Sequence, residues 1–339
     1  MTTRRDIIKT AAAVGIGGTA LAQMDSAQAA TARHGSSAGE MPRGLTLLSM
    51  RQADGRETLG VKLPHGILDV VAAKQALKID APTTLENLLH TGSADALNRL
   101  IDAAQGQSKL FRDESTIEFG RLFVNPGKIV CIGLNYKAHV QEAGEKLPQV
   151  PILFNKYNNT LAAQHCTIKL PPRAVSYKFD YETELLVVMG KTARNVAEAE
   201  ALDYVAGYAI GHDFSARDLQ LETGGQWMAG KTLDNFAPIG PYFVSADQID
   251  PNNLKIETYV NDESTPRQSS HTSLFIFNPQ QVIAYVSKLF TLAPGDIIFT
   301  GTPSGVILGM PKDKQVWLKA GDTITSRIEH LGTLKFSLA

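Results

Sequence analysis

Cysteine is scarce in this chain: 339 residues contain only Cys131 and Cys166. Two are too few for a disulfide framework, and their separation does not suit a zinc knuckle. Cys131 lies in the apolar run Ile129-Val130-Cys131-Ile132, where a small buried hydrophobe is expected rather than a nucleophile. Charge of one sign is also missing, with 33 basic against 34 acidic side chains. That balance supplies no general pull toward phosphate backbones, and no local basic patch replaces it, so no nucleic-acid partner is expected. No strand-linked Gly-x-Ser-x-Gly elbow and no strand-linked Gly-x-Gly-x-x-Gly is found, which counts against a serine hydrolase or a dinucleotide enzyme. Internal repeats and low-complexity segments are absent as well.

What is present divides into four stretches. Arg4-Arg5-Asp6-Ile7-Ile8-Lys9, the uncharged run Thr10–Met24 and Ala27-Gln28-Ala29 have the order of a twin-arginine export signal, expected over residues 1–29. The run is shorter than the ~20 residues of a bilayer span, so a periplasmic or exported protein without stable membrane insertion is expected after cleavage. Residues 30–43, rich in Ser, Gly and Ala, suit a flexible leader. Residues 44–122 read as a small α+β domain: a hairpin turning at Asp54-Gly55, then Leu85-Leu88-Leu89 and Ala96-Leu97-Leu100-Ile101 at helical spacing. Residues 123–339 carry short β-branched runs between Gly, Pro and Asn, at 128–133, 152–154, 166–170, 183–189, 205–213, 240–244, 254–260, 296–300 and 322–328, with helices expected near 197–204 and 279–291. The expected class is α+β, mostly β, a sandwich, roll or barrel rather than a βαβ repeat.

Asp180-Tyr181-Glu182-Thr183-Glu184-Leu185 is the most informative stretch. Alternation along a strand points Glu182 and Glu184 the same way, with Cα atoms about 7 Å apart. Like charges at that spacing need solvent around them or a cation between them. A third acid, Asp213, closes the apolar run Val205–Gly211, and three oxygen donors without a nearby Cys favour a hard divalent ion. His139 and Glu142 stand three residues apart after Gly133-Leu134-Asn135-Tyr136. They can be a helix-surface pair, or an imidazole oriented by a carboxylate to act as a general base. The glycines of Thr300-Gly301-Thr302-Pro303-Ser304-Gly305 either form a tight turn or bring backbone N–H groups to an anion.

Taken in order, these segments resemble the fumarylacetoacetate hydrolase family from Lys128 to about Leu334, with Phe154-Asn155-Lys156, His212-Asp213-Phe214-Ser215-Ala216-Arg217-Asp218-Leu219-Gln220 and Gly230-Lys231 completing the pattern. The resemblance implies a mixed β-roll, a homodimer, and Mg²⁺ or Mn²⁺ (with Ca²⁺ as a substitute) held by Glu182, Glu184 and Asp213. It also implies a small 2-oxo acid substrate, catalysis by His139, Glu142 and Lys231, and substrate contacts from Asn135, Tyr136, Lys156, Gln220 and Thr302. The expected activity is hydrolysis of a C–C bond in acylpyruvate-like 2,4-dioxo acids, with enolate charge on the ion and His139 activating water. Decarboxylation, isomerisation, tautomerisation or hydration on the same ion is the alternative, and a binding protein that has lost catalysis is a third. Two departures from the family pattern affect the pocket. Tyr157 follows Lys156 where many relatives have Pro, and Leu134 stands where some carry Arg.

If Arg4-Arg5 is an export address, changing both to Lys traps the precursor in the cytoplasm. Cell fractionation checks this, and normal appearance of mature protein in the periplasm contradicts it.

Overall fold

The computed structural model describes residues 41–339. The expected export signal and most of the leader lie outside the described residues. Among the described residues, no helix is long and apolar enough to cross a membrane.

The strand Thr183–Met189 is buried along its whole length. Leu186 and Val188 enter one core on one face, while Leu185, Val187 and Met189 enter another. Burial on both faces explains why the sequence reads there as a continuous apolar run rather than an alternating one. This strand pairs antiparallel with Val205–His212 and with Ile297–Phe299. Outward from Ile297–Phe299 the sheet continues through Ile129–Gly133, which is parallel, to Ile152–Asn155 at the edge. In the other direction it passes from Val205–His212 to Ala237–Ser245 and then Thr46–Arg51.

That last pairing joins the amino-terminal segment to the rest. The hairpin of Thr46–Arg51 and Glu57–Leu63, turning at Asp54-Gly55 as expected, extends the central sheet instead of closing one of its own. The sheet therefore runs across the boundary expected near residue 122. Helices Leu85–Thr91 and Ala94–Ala104 place Leu88, Leu97 and Leu100 in the same core as Leu186, Val188 and Phe299. They cover one face of the central sheet, and helix Pro279–Leu289 contributes Val282, Ile283 and Val286 to the core on the other. This last helix starts at a capping box in which Asn278 and Gln281 exchange side-chain and backbone bonds, with Pro279 in the first turn.

A second, five-stranded sheet includes Lys255–Val260, Thr323–Ile328 and Gly332–Leu338. Thr183 Oγ1 reaches it, lying 2.7 Å from Ser326 Oγ and within hydrogen-bond distance of Thr258 Oγ1. The fold is α+β and mostly β, with large mixed sheets. Two elements differ from expectation. The segment Glu198–Tyr204 is a 3₁₀ turn, because only Ala201 is buried and no side chain caps its start. The strand Gly332–Leu338 was not among the expected runs, although its burial alternates as a one-sided strand should.

Candidate metal centre and its cavity

Strand pairing assembles the three expected acids. Thr183 faces His212 in the antiparallel register, so the next residue, Asp213, comes alongside Glu182, and its N–H donates to Glu182 O at 2.9 Å. One oxygen from each of Glu182, Glu184 and Asp213 falls within 4.8 Å of the others, and all three side chains are buried. At that separation two unit charges repel by about 3.5 kcal/mol even with an effective dielectric of ~20. The cluster therefore needs positive charge.

Three buried cations supply part of it. Lys231 Nζ bridges Glu182 Oε2 at 2.6 Å and Asp213 Oδ2 at 2.7 Å. Lys156 Nζ holds Asp213 Oδ1 at 2.6 Å. Arg217 lies 2.7 Å from Glu182 Oε1 and donates through Nε to Asp180 Oδ2 at 2.8 Å. Burial alone would raise the Glu182 carboxyl, but Lys231 and Arg217 hold it below the usual carboxylate range. The same acids act back on Lys231: burial would lower its ammonium, and Asp213 and Glu182 raise it instead.

Among the described residues, no cation forms an ion pair with Glu184. Its Oε2 accepts the Gly301 N–H at 2.6 Å, while burial and the neighbouring Asp213 and Glu182 push its carboxyl well above the ordinary value. Four buried acids, Asp180, Glu182, Glu184 and Asp213, thus meet three buried cations. The uncompensated acid sits where a divalent ion would draw on three carboxylates. An all-oxygen donor set of this kind suits Mg²⁺, Mn²⁺ or Ca²⁺.

His139 and Glu142 lie on the short helix Lys137–Glu142, with His139 Nδ1 2.8 Å from Glu142 Oε1. Glu142 Oε2 accepts the Gly305 N–H at 2.9 Å, which ties the helix to the 300–305 loop. The two glycines of that loop do present N–H groups to anions, but the anions are the protein's own carboxylates. Both need left-handed backbone, with φ of 95° at Gly301 and 105° at Gly305. A Cβ at Gly301 would also approach Asn135 Cβ to 2.7 Å.

These groups surround a cavity of about 170 Å³ lined by His139, Glu182, Glu184, Arg217, Gln220 and Lys231, with Thr302 and an apolar wall. A larger cleft of about 810 Å³ lies between Lys62 and Glu114, far in sequence from the carboxylates and without a comparable acid cluster. The chemistry places the site in the smaller one.

Three residues expected to touch substrate stand off the cavity wall. Asn135 is fully buried, with its amide spent on Phe277 O, Thr300 O and the Phe277 N–H at 2.7–2.9 Å, so it fastens strand to loop. Lys156 is held behind Asp213, and Tyr136 is packed against Phe275; neither lines the cavity. Gln220 and Thr302 do line it, although Thr302 Oγ1 already donates to Thr183 O at 2.9 Å.

Sequence reasoning gave no role to three further residues. Asp180 continues the period-two series with Glu182 and Glu184, and it accepts N–H groups of Ile307 and Leu308 as well as Arg217. The spacing Asp180-x-Glu182-x-Glu184 was the available signal. Arg217 sits four residues after Asp213 and lines the cavity; its Nη2, though 2.7 Å from Glu182, has no aligned acceptor. His212 accepts the Glu182 N–H through Nε2 at 3.1 Å. Burial lowers its pKa to about 3, so it supports Glu182 as a neutral ring.

Glu184→Ala is expected to weaken Mn²⁺ binding by more than ~100-fold, since losses of 10–100-fold already follow from removing groups that only orient a ligand. Calorimetric titration of the wild type and the variant checks this. Unchanged affinity would place the ion elsewhere.

Comparison with known proteins agrees with this geometry. The description "Fumarylacetoacetate (FAA) hydrolase C-terminal" matches residues 128–339. "Oxaloacetate tautomerase Fahd2a, mitochondrial" of Rattus norvegicus is 40% identical over 270 residues, covering 79% of this chain and 82% of that protein. The fumarylacetoacetate hydrolase of psychrophilic Exiguobacterium antarcticum superposes with a TM-score of 0.70 at 30% identity, covering 87% of this chain and 99% of that one. The fumarylpyruvate hydrolase of Pseudomonas aeruginosa, solved in complex with Mn²⁺ and pyruvate, gives a TM-score of 0.55 at 32% identity over 62% of this chain and 89% of that one. The chain belongs to the fumarylacetoacetate hydrolase family.

Proposed function

We propose that the protein is a divalent-metal-dependent enzyme that shifts a proton between C3 and the C2 oxygen of small 2-oxo acids, a keto–enol tautomerase for acids of oxaloacetate size. The observation that carries this reading is the 170 Å³ cavity with His139, Glu182 and Glu184 on its walls. Pockets for drug-sized ligands run to roughly 300–1,000 Å³, so the occupant is an acid of a few carbons. Similarity to a protein named as an oxaloacetate tautomerase supports the same choice. Mg²⁺ or Mn²⁺ and a homodimer belong to this proposal.

An ion held by Glu182, Glu184 and Asp213 would supply Lewis-acid stabilisation where enolate charge develops. The chain's own residues do the rest. Lys231 and Arg217 bring positive charge to the cavity wall, where it favours an anionic substrate and the developing oxyanion. With Nδ1 engaged by Glu142, Nε2 is the free nitrogen of His139. In the tautomerisation it takes the proton from C3 and delivers it to the C2 oxygen, leaving the composition of the substrate unchanged. Glu142 stabilises the imidazolium while the proton is in transit.

Hydrolysis of acylpyruvates is the second reading, favoured by the same His139–Glu142 pair acting on water. It needs room for an acyl group and for that water, which the small cavity disfavours.

His139→Ala should slow C3 deuterium exchange of oxaloacetate in D₂O by on the order of 10²–10⁴ and leave oxalate binding intact; Glu142→Gln should lose less. NMR of the exchange, run beside an acylpyruvate cleavage assay, decides between the readings. Loss of cleavage with exchange preserved would establish the hydrolytic reading, and loss of neither would remove His139 from both.

A further inference from the structure

Trp227 is one of two tryptophans in the chain and faces the same cavity as the carboxylate cluster. It immediately precedes the short helix Met228–Lys231, whose last residue is the lysine bridging Glu182 and Asp213. Its ring meets Phe154 edge to face, with centroids 5.5 Å apart and planes at 71°. The Lys231 ammonium lies 5.4 Å from the centre of that same Phe154 ring. Trp227 therefore closes an apolar wall whose far side touches the charged cluster.

Gly133 shows how closely the indole is seated. A Cβ there would stand 2.3 Å from Trp227 Cζ3 and 2.8 Å from Cη2. Gly133 is not among the residues with positive φ, so its backbone does not demand glycine; the indole does. Gly133 also ends the strand Ile129–Gly133 that leads into the His139 helix. On the other side, Trp227 hangs from an exposed segment, residues 221–226. Gly224 and Gly225 both have positive φ there, and a Cβ on either would meet nothing within 4 Å. The ring is thus clamped against the cavity, while the backbone that carries it is exposed and includes two left-handed glycines.

We propose that Trp227, hinged on Gly224-Gly225 and seated on Gly133 and Phe154, is the specificity-determining gate of the cavity and limits it to 2-oxo acids with short chains. This rests on the reading of the cavity as a 2-oxo acid site. Leu134, Leu221 and Leu308 line the same space, so withdrawing the indole opens an apolar channel suited to alkyl extensions of the substrate. Phe154 lies beside both the indole and Lys231, which keeps the gate next to the charged groups it shields from water.

Two variants displace the indole by independent routes. Trp227→Ala removes it, and Gly133→Ala evicts it while keeping Trp227 in the sequence. The probes are pyruvate, 2-oxobutyrate, 2-oxopentanoate and 2-oxohexanoate, titrated into Mn²⁺-loaded full-length protein and read by calorimetry. A wall that rejects an added methylene discriminates by about tenfold or more. The wild type should therefore prefer pyruvate over 2-oxohexanoate, and both variants should reduce that preference at least ~tenfold. An unchanged preference in both variants, with all proteins still binding pyruvate, overturns the gate and leaves the 2-oxo acid reading standing. Failure of the wild type to bind any of the four acids while binding Mn²⁺ overturns both. Circular dichroism of each variant separates a moved gate from a lost fold.

Discussion

Mutual repulsion of Glu182, Glu184 and Asp213 is the constraint around which the site is built. Their oxygens are brought within 4.8 Å by a pairing of two buried strands that cannot shift by one residue without turning Glu184 to the opposite face. Lys231, Lys156 and Arg217 answer for Glu182, Asp213 and the adjoining Asp180, but Glu184 receives only a backbone N–H from Gly301. A buried acid without a counter-charge protonates or recruits a cation. Two protein oxygens already share Lys231, so an incoming divalent ion competes with an ammonium the chain itself supplies.

The surrounding parts follow from that centre. Gly301 and Gly305 act as anion-binding backbone, one for Glu184 and one for Glu142, and a single loop thereby registers the carboxylate cluster against the His139 helix. Asn135 locks that loop to the strand before the helix. The second sheet contributes through Ser326, whose hydroxyl contacts both Thr183 and the neutral ring of His212. Both sides of the central sheet thus converge on the end of one strand.

Much of this was legible in residue order. The hairpin at Asp54-Gly55, the buried strand around Val187 and the shared face of Glu182 and Glu184 all follow from local pattern, because period and turn chemistry are local properties. Which polar groups line the cavity was not legible. Asn135 and Lys156 sit in motifs that suggest ligand contact, yet each is consumed by another part of the chain. Partners 57 residues apart, as for Lys156 and Asp213, are set by the sheet and leave no trace in spacing. Arg217 was hidden for the same reason: nothing between positions 180 and 217 announces that its guanidinium spans Asp180 and Glu182. The pairing of an amino-terminal strand with Ala237–Ser245 is equally non-local.

The carboxylate cluster is proposed as a divalent-ion site held ready by Lys231. Anomalous diffraction at the manganese edge, on crystals grown with Mn²⁺ and oxalate, tests it most directly. A strong peak bounded by oxygens of Glu182, Glu184 and Asp213 is expected, with the Lys231 ammonium withdrawn from at least one of its two carboxylates. A peak elsewhere, or none at saturating Mn²⁺ with Lys231 still bridging Glu182 and Asp213, would contradict it.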